Sequence, residues 1–180
     1  EYIRAGDVFQ VNVAHALSAP FSGDPRAMFA RLARASGPWY GAYLETERGG
    51  AREAICSISP ELFLEYDART RTVVTRPIKG TATADAPETV LRDSDKDAAE
   101  LVMIVDLMRN DLGRVCVPGT IRVEEARRLE RHGRVRHGVA TVRGTLAPGL
   151  DAVALIRAAF PAGSITGAPV LGNVGEMILL

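Results

Sequence analysis

The chain has 180 residues, 47% of them hydrophobic, and its 22 Lys and Arg are balanced by 22 Asp and Glu. That content supports one well-formed core or a large part of a bigger one, and zero formal net charge provides no global field to gather nucleic acid or an anionic membrane. No stretch approaches the ~18 consecutive apolar residues of a membrane span, and no signal peptide opens the chain.

In chain order, residues 1–5 (EYIRA) read as the last turn of a helix stopped by Gly6 at a C-cap position. Residues 7–17 alternate and predict a strand. Asp24 as N-cap and Pro25 at N1 predict an amphipathic helix over 25–35, with Met28, Phe29, Leu32 and Ala33 on its apolar side. Strands are predicted at 39–44, 53–57, 62–67 and 72–76, the last two forming a hairpin. Residues 82–89 (ATADAPET) read as a loop. The strongest helix pattern spans 95–111 and is apolar over most of its circumference, which predicts an interior helix ended by Gly113. Strands at 117–124 and 138–146, a helix at 151–159 and a Gly/Ser/Thr/Pro loop (FPAGSITGAP) follow. The arginine cluster from Arg127 to Arg136 reads as a solvated helix or loop face. Hairpin-joined strands among helices favour an α+β fold.

Cys56 and Cys116 form neither a CxxC pair nor a metal spacing, which reads as two reduced thiols in a cytoplasmic protein. The chain begins at Glu1 inside a helix-like pattern and stops on apolar GEMILL without a cap. It therefore reads as a fragment of a longer domain.

Several residues could carry chemistry. Asp97 and Glu100 share a helix face. They serve either the helix dipole or a cation such as Mg²⁺, which takes one or two carboxylates plus water and substrate oxygens. Asp106, Arg109, Asn110 and Asp111 suit a structural network of caps and ion pairs. His137, at the entrance to a strand, is a structural group or a general acid/base; His15 and His132 have weaker context. Gly163, Ser164, Thr166 and Gly167 offer hydroxyls and backbone N–H groups to an anion. Lys79, in RPIKGT, is a solvated strand-end charge, an ion-pair partner, a phosphate anchor or an amine nucleophile.

Five motifs occur in one order: SPELF at 59–63, TRPIKGT at 75–81, DAAELVMIVDLMRNDLGRV at 97–115, VRHGVATVRGTL at 135–146 and AFPAGSITGAP at 159–169. GDVFQVN at 6–12 accompanies them. Together they resemble the chorismate-binding domain shared by para-aminobenzoate (aminodeoxychorismate) synthase component I, anthranilate synthase component I, and isochorismate and salicylate synthases. The resemblance implies an α+β fold with antiparallel sheets packed together and helices outside. All 180 residues would be part of one such domain, its N-terminal and C-terminal portions missing.

The resemblance also implies a Mg²⁺-dependent enzyme acting on chorismate. Glu100 matches a metal-holding carboxylate and Asp97 an acidic position beside it. His137 matches a histidine near the reacting ring. Ser164, with Gly163 and Thr166, matches the substrate-pocket loop, and Glu61 matches a glutamate of the active-site wall. Lys79 separates the branches: anthranilate synthases typically read Pro-Ile-Ala-Gly-Thr, and the para-aminobenzoate branch of the folate pathway reads Pro-Ile-Lys-Gly-Thr. The lysine of that branch attacks C2 of chorismate, and ammonia from a glutamine amidotransferase subunit or fused domain then adds at C4. Two alternatives stay open: anthranilate synthase component I or another chorismate enzyme, and a catalytically incomplete fragment or non-catalytic binding chain. The pattern departs from the family after Pro169, where Val170 replaces a lysine and Glu176 meets the family glutamate only with a one-residue slip.

Overall fold

A computed structural model of the chain describes residues 15–162 in full and the backbone of residues 10–11 and 167–168. The first helix, α1 (Pro25–Ser36), begins as predicted. Asp24 accepts from the Arg26 and Ala27 N–H groups at 3.1 and 3.3 Å, and Pro25 occupies the first turn. At its other end, Gly37 adopts φ 60° and donates to the Ala33 carbonyl at 2.8 Å. Strands β2 (Tyr40–Arg48) and β3 (Ala51–Ser59) form an antiparallel hairpin. Its two-residue turn needs positive φ at both positions, and Gly49 and Gly50 supply 60° and 80°.

The main sheet is built around one long strand. β4 (Leu62–Asp67) and β5 (Thr72–Arg76) form the predicted hairpin, followed by β6 (Ile78–Thr83). A short helix α2 (Thr89–Arg92) and the long helix α3 (Asp95–Gly113) lead to β7 (Arg122–His132), β8 (Val135–Thr145) and helix α4 (Ala152–Ala159). β7 pairs along one edge of β8; β5 and then β6 pair end to end along its other edge, and β4 lies outside β5. The backbone of β1 (Gln10–Val11) pairs with β9 (Gly167–Ala168). Every pairing is antiparallel, so the α+β reading holds.

Helix α3 covers one face of this sheet. Leu101, Val105 and Leu112 pack with Val73, Ala140, Val142 and Leu146 of the sheet region and with Leu155 of α4. Each of the leucine and valine side chains contributes roughly 1.5–3 kcal/mol on full burial. Asp151 caps α4 through the Ala154 N–H at 2.8 Å.

Several expectations change. Helix α3 is amphipathic rather than interior on all sides, because Val102 stands 58% exposed while Leu101, Ile104, Val105, Met108 and Leu112 are buried. It does end at Gly113, as expected. The strand expected at 117–124 starts only at Arg122, since residues 117–120 close a turn in which Gly119 takes φ 79° and Thr120 N–H meets the Val117 carbonyl at 3.1 Å. The arginine cluster lies on two paired strands, β7 and β8, turned by Gly133 at φ 59°. Residues 82–83 extend β6, and Thr89 opens α2, so the expected loop at 82–89 is shorter. Of the expected strand at 7–17, Gln10–Val11 is a strand and residues 15–17 are irregular. The expected helix turn at 1–5 and Gly6 lie outside the described residues.

Cys56 and Cys116 are both free thiols. No helix among the described residues is long and apolar enough to cross a membrane.

Candidate active site

The RPIKGT segment forms the junction between β5 and β6. Pro77 has no N–H to give, and its buried ring separates the two strands. Its carbonyl still accepts from the Ala140 N–H at 3.1 Å, so contact with β8 continues across the break. The next N–H, of Ile78, donates to the Glu61 carboxylate at 3.4 Å. Glu61 sits just ahead of β4, braced by reciprocal Ser59 contacts at 3.1 and 3.2 Å. Its side chain thus meets the backbone of β6 where β4 no longer pairs.

Lys79 pairs with Gly138 and Thr81 with His137, which leaves Gly80 as an extra residue, a β-bulge at φ 81°. Both glycines are required by close packing. A Cβ on Gly138 would sit 2.7 Å from the Lys79 carbonyl, and one on Gly80 would sit 2.9 Å from an Asp97 carboxylate oxygen. Lys79 is half-buried.

Asp97 reaches Gly80 because it lies in the first turn of α3, where its N–H donates to the N-cap hydroxyl of Ser94 at 3.3 Å. Its charge there also suits the helix dipole, so the structural role expected of it is filled as well. Glu100 lies on the same helix face one turn on, loosely paired with exposed Lys96 at 3.8 Å. The two carboxylates form a hard-oxygen donor set with little competing cationic contact. Among the described residues no group of three or more His, Cys, Asp and Glu forms a ready-made metal cage. The pair therefore suits a dication that keeps water and substrate oxygens as its remaining ligands.

His137 is 6% exposed. Its Nδ1 lies 3.0 Å from the Thr81 hydroxyl. Burial pushes its pKa below the usual histidine value, partly offset by its hydrogen bond to the Gly80 backbone; neighbouring His132 pushes it the same way as burial. The neutral imidazole is thus favoured near neutrality and can accept a proton.

Glu61, Lys79, Asp97 and His137 therefore converge on the six residues of β6 and its bulge, with Glu100 a helical turn away. Gly163, Ser164 and Thr166 lie outside the described residues. The RNDLGR segment forms the expected structural network: Arg109 bonds Asp106 at 2.9 Å and Arg114 bonds Asp111 at 2.7 Å. Arg114 also bonds the Ala158 carbonyl, tying α3 to α4. Two participants, Thr81 and Arg76, were not singled out in the sequence, and a third, His132, had only weaker context there. Thr81 holds His137; Arg76 joins Glu130 at 2.5 Å and Tyr40 at 3.2 Å; His132 packs beside His137. The spacing E-x-H-G-R-V-x-H could have signalled the last, since a two-residue turn at Gly133 puts Glu130 directly opposite His137.

This arrangement places an amine, an imidazole and two carboxylates around one bulged strand of an antiparallel sheet. The chain belongs to the chorismate binding enzyme family, whose model matches residues 1–174. It is 45% identical over 176 residues to aminodeoxychorismate synthase component 1 of Escherichia coli strain K12, covering 94% of this chain and 38% of that protein. It is 46% identical over 176 residues to anthranilate synthase component 1 of Streptomyces coelicolor, covering 94% of this chain and 34% of that protein. The chain thus spans well under half the length of these relatives. Among solved structures, anthranilate synthase component I from Streptococcus pneumoniae superposes with a TM-score of 0.68 at 29% identity, over 83% of this chain and 32% of that one. An isochorismate synthase from Bacillus anthracis shares the fold with a TM-score of 0.66 at 22% identity, over 81% of this chain and 40% of that one.

Proposed function

We propose that this chain carries the catalytic strand of an enzyme that aminates chorismate to 4-amino-4-deoxychorismate. The observation that carries the reading is Lys79, an amine held on β6 between Gly138 and the Gly80 bulge, beside the groups that contact that strand. The Lys79 amine adds at C2 of the ring, the diene shifts, and the C4 hydroxyl leaves with a proton as water. Ammonia then adds at C4, the double bonds shift back, and the lysine amine departs from C2. The net change is one hydroxyl replaced by one amino group, with ammonia consumed and water released.

His137 supplies or takes protons in this sequence, and Glu61 shapes the wall beside Ile78 and Lys79. Asp97 and Glu100 would hold Mg²⁺, which neutralises the substrate ring carboxylate and polarises the diene when bound. The substrate-pocket role of Gly163, Ser164 and Thr166 belongs to the same reading. Ammonia comes from a glutamine amidotransferase subunit or fused domain, and the setting is cytoplasmic folate biosynthesis. The whole enzyme would extend beyond the part that aligns here.

A second reading, anthranilate synthase component 1, is favoured by the 46% identity to the Streptomyces coelicolor protein. Incubating the enzyme with chorismate, Mg²⁺ and ammonium and resolving the products decides between them. We expect 4-amino-4-deoxychorismate, and its loss in Lys79→Ala. Accumulation of anthranilate, or a Lys79→Ala variant with an undiminished rate, overturns the reading.

A further inference from the structure

Beside the proposed acid/base histidine lies a second buried imidazole that the reaction does not use. His132 is 6% exposed. One face stacks on Trp39 with ring centroids 4.0 Å apart, and His137 meets it edge-on at 5.3 Å. Its Nε2 lies 3.6 Å from the second carboxylate oxygen of Glu130. Both ring nitrogens of His132 and that Glu130 oxygen are buried with no hydrogen-bond partner among the described residues.

The strand register explains the cluster. Glu130 pairs with His137, His132 pairs with Val135, and Thr81 pairs with His137 from the other side of β8. Directly paired residues share a sheet face, and so do residues two apart on a strand. Glu130, His132, His137 and Thr81 therefore stand on one face. Three buried polar atoms left without partners are costly, at roughly 1–3 kcal/mol each. A proton on His132 would answer two of them at once. Nε2 needs to move only a few tenths of an ångström to reach ordinary hydrogen-bond length to Glu130.

We propose that His132 is a positioning residue: wedged between Trp39 and His137 and anchored at Glu130, it holds the His137 imidazole against Thr81 and couples that imidazole's proton to the Glu130 carboxylate. Two imidazoles this close in a buried setting do not both carry charge easily, so their protons compete. The charged and titratable groups around the pair are few. Glu130 is shared with Arg76 at 2.5 Å and with Arg128 at 4.0 Å. Tyr40 bonds Arg76 from the β2 side. The Asp97 carboxylate lies beyond Gly80 on the α3 side. Glu130 is thus the acidic neighbour of His132, and His132 in turn holds the His137 pKa down.

The inference rests on the reading of His137 as an acid/base group, and the test separates the two. Ring-proton NMR titration of both histidines is recorded in the chain and in His132→Phe, which keeps an aromatic ring against Trp39. The variant should raise the His137 midpoint by about one pH unit, the size expected of a like charge removed from ~5 Å in a partly screened interior. An unmoved midpoint overturns the proposal. If His132→Phe does not fold, the unmodified chain decides: each histidine's curve should bend at the midpoint of the other, and two independent single-step curves overturn it. The pH profile of chorismate consumption is measured in parallel. Its acid limb should shift up with the His137 midpoint in His132→Phe. A shifted midpoint with an unmoved profile leaves the coupling standing and removes His137 from the reaction.

Discussion

Gly80 is where the backbone of the lysine strand and the Asp97 carboxylate constrain each other, and Gly80→Ala tests that directly. Two costs add. Holding a non-glycine residue in the left-handed region costs about 1–2 kcal/mol, because Cβ crowds the following carbonyl. The new Cβ would also stand 2.9 Å from Asp97 Oδ2, 3.0 Å from its Cγ and 3.1 Å from its Cβ. Contact with Cβ as well as with the carboxylate means that rotating the carboxylate alone does not clear the clash. The first turn of α3 or the bulge must shift, at roughly 1–3 kcal/mol for overpacking of this kind. The expected loss is therefore about 2–5 kcal/mol by urea denaturation. Gly49→Ala is the control: it also has positive φ, 60°, but no atom lies within 4 Å of its added Cβ. It should show the conformational cost alone, about 1–2 kcal/mol. The gain from restricting the unfolded chain is common to both variants and cancels in the comparison. Asp97→Ala in the Gly80→Ala background should recover part of the excess. Equal losses for Gly80→Ala and Gly49→Ala would refute the close approach of Asp97 to the bulge.

Other variants probe the core and its charges. Leu101→Ala, at a side chain 1% exposed between α3 and the sheet, should cost about 2–5 kcal/mol by denaturant midpoint, as a poorly collapsing cavity does. Arg71 bonds the carbonyls of Leu146, Ala147 and Leu150 at 3.0, 2.5 and 2.8 Å, so Arg71→Ala should lower stability by roughly 2–3 kcal/mol and loosen hydrogen-exchange protection around residues 146–150. Asp111 is 7% exposed, and burial raises its pKa despite Arg114 beside it. A carboxyl raised on folding favours the protonated native state, so its contribution is full below the unfolded value near 3.8 and is lost as pH rises through the folded one. Asp111→Asn should therefore gain stability relative to the parent chain between about pH 4 and pH 7; a relative loss over that range would mean that Arg114 outweighs burial.

The elements that sequence reading places well are those set by local rules. Asp24-Pro25 and Asp151 cap helices because their side chains satisfy free N–H groups wherever they stand. The 62–67 and 72–76 strands alternate, and their loop is short, so the hairpin follows without tertiary information. Strand β7 was misplaced for the opposite reason. Val117 to Thr120 is apolar enough to start a strand, but Pro118-Gly119 turns the chain first. The charged run that follows, with arginine or glutamate at seven of the 11 positions of β7, hides a strand whose two faces are set by β8 rather than by its own composition.

The site divides along the same line. Asp97 and Glu100 share a helix face by spacing, which sequence supplies. That this face meets Gly80 is a tertiary fact, fixed by how α3 crosses β6. Lys79 looked like the end of a strand because Pro77 breaks the pattern. In the fold, the Pro77 carbonyl keeps its bond to β8, and a second strand resumes at once on the same edge. A proline that interrupts the pattern without interrupting the ladder is what holds Lys79 inside a sheet rather than on a loose loop. The bulge that follows exists because Lys79 and Thr81 must pair with consecutive residues of β8, Gly138 and His137. One extra residue is thereby forced out of register, and only glycine takes the required φ while leaving room for Asp97. The Lys-Gly-Thr order is thus a packing solution as much as a chemical one: a single glycine lets the strand slip by one, which seats the Asp97 carboxylate against the bulge and the Thr81 hydroxyl against the His137 imidazole.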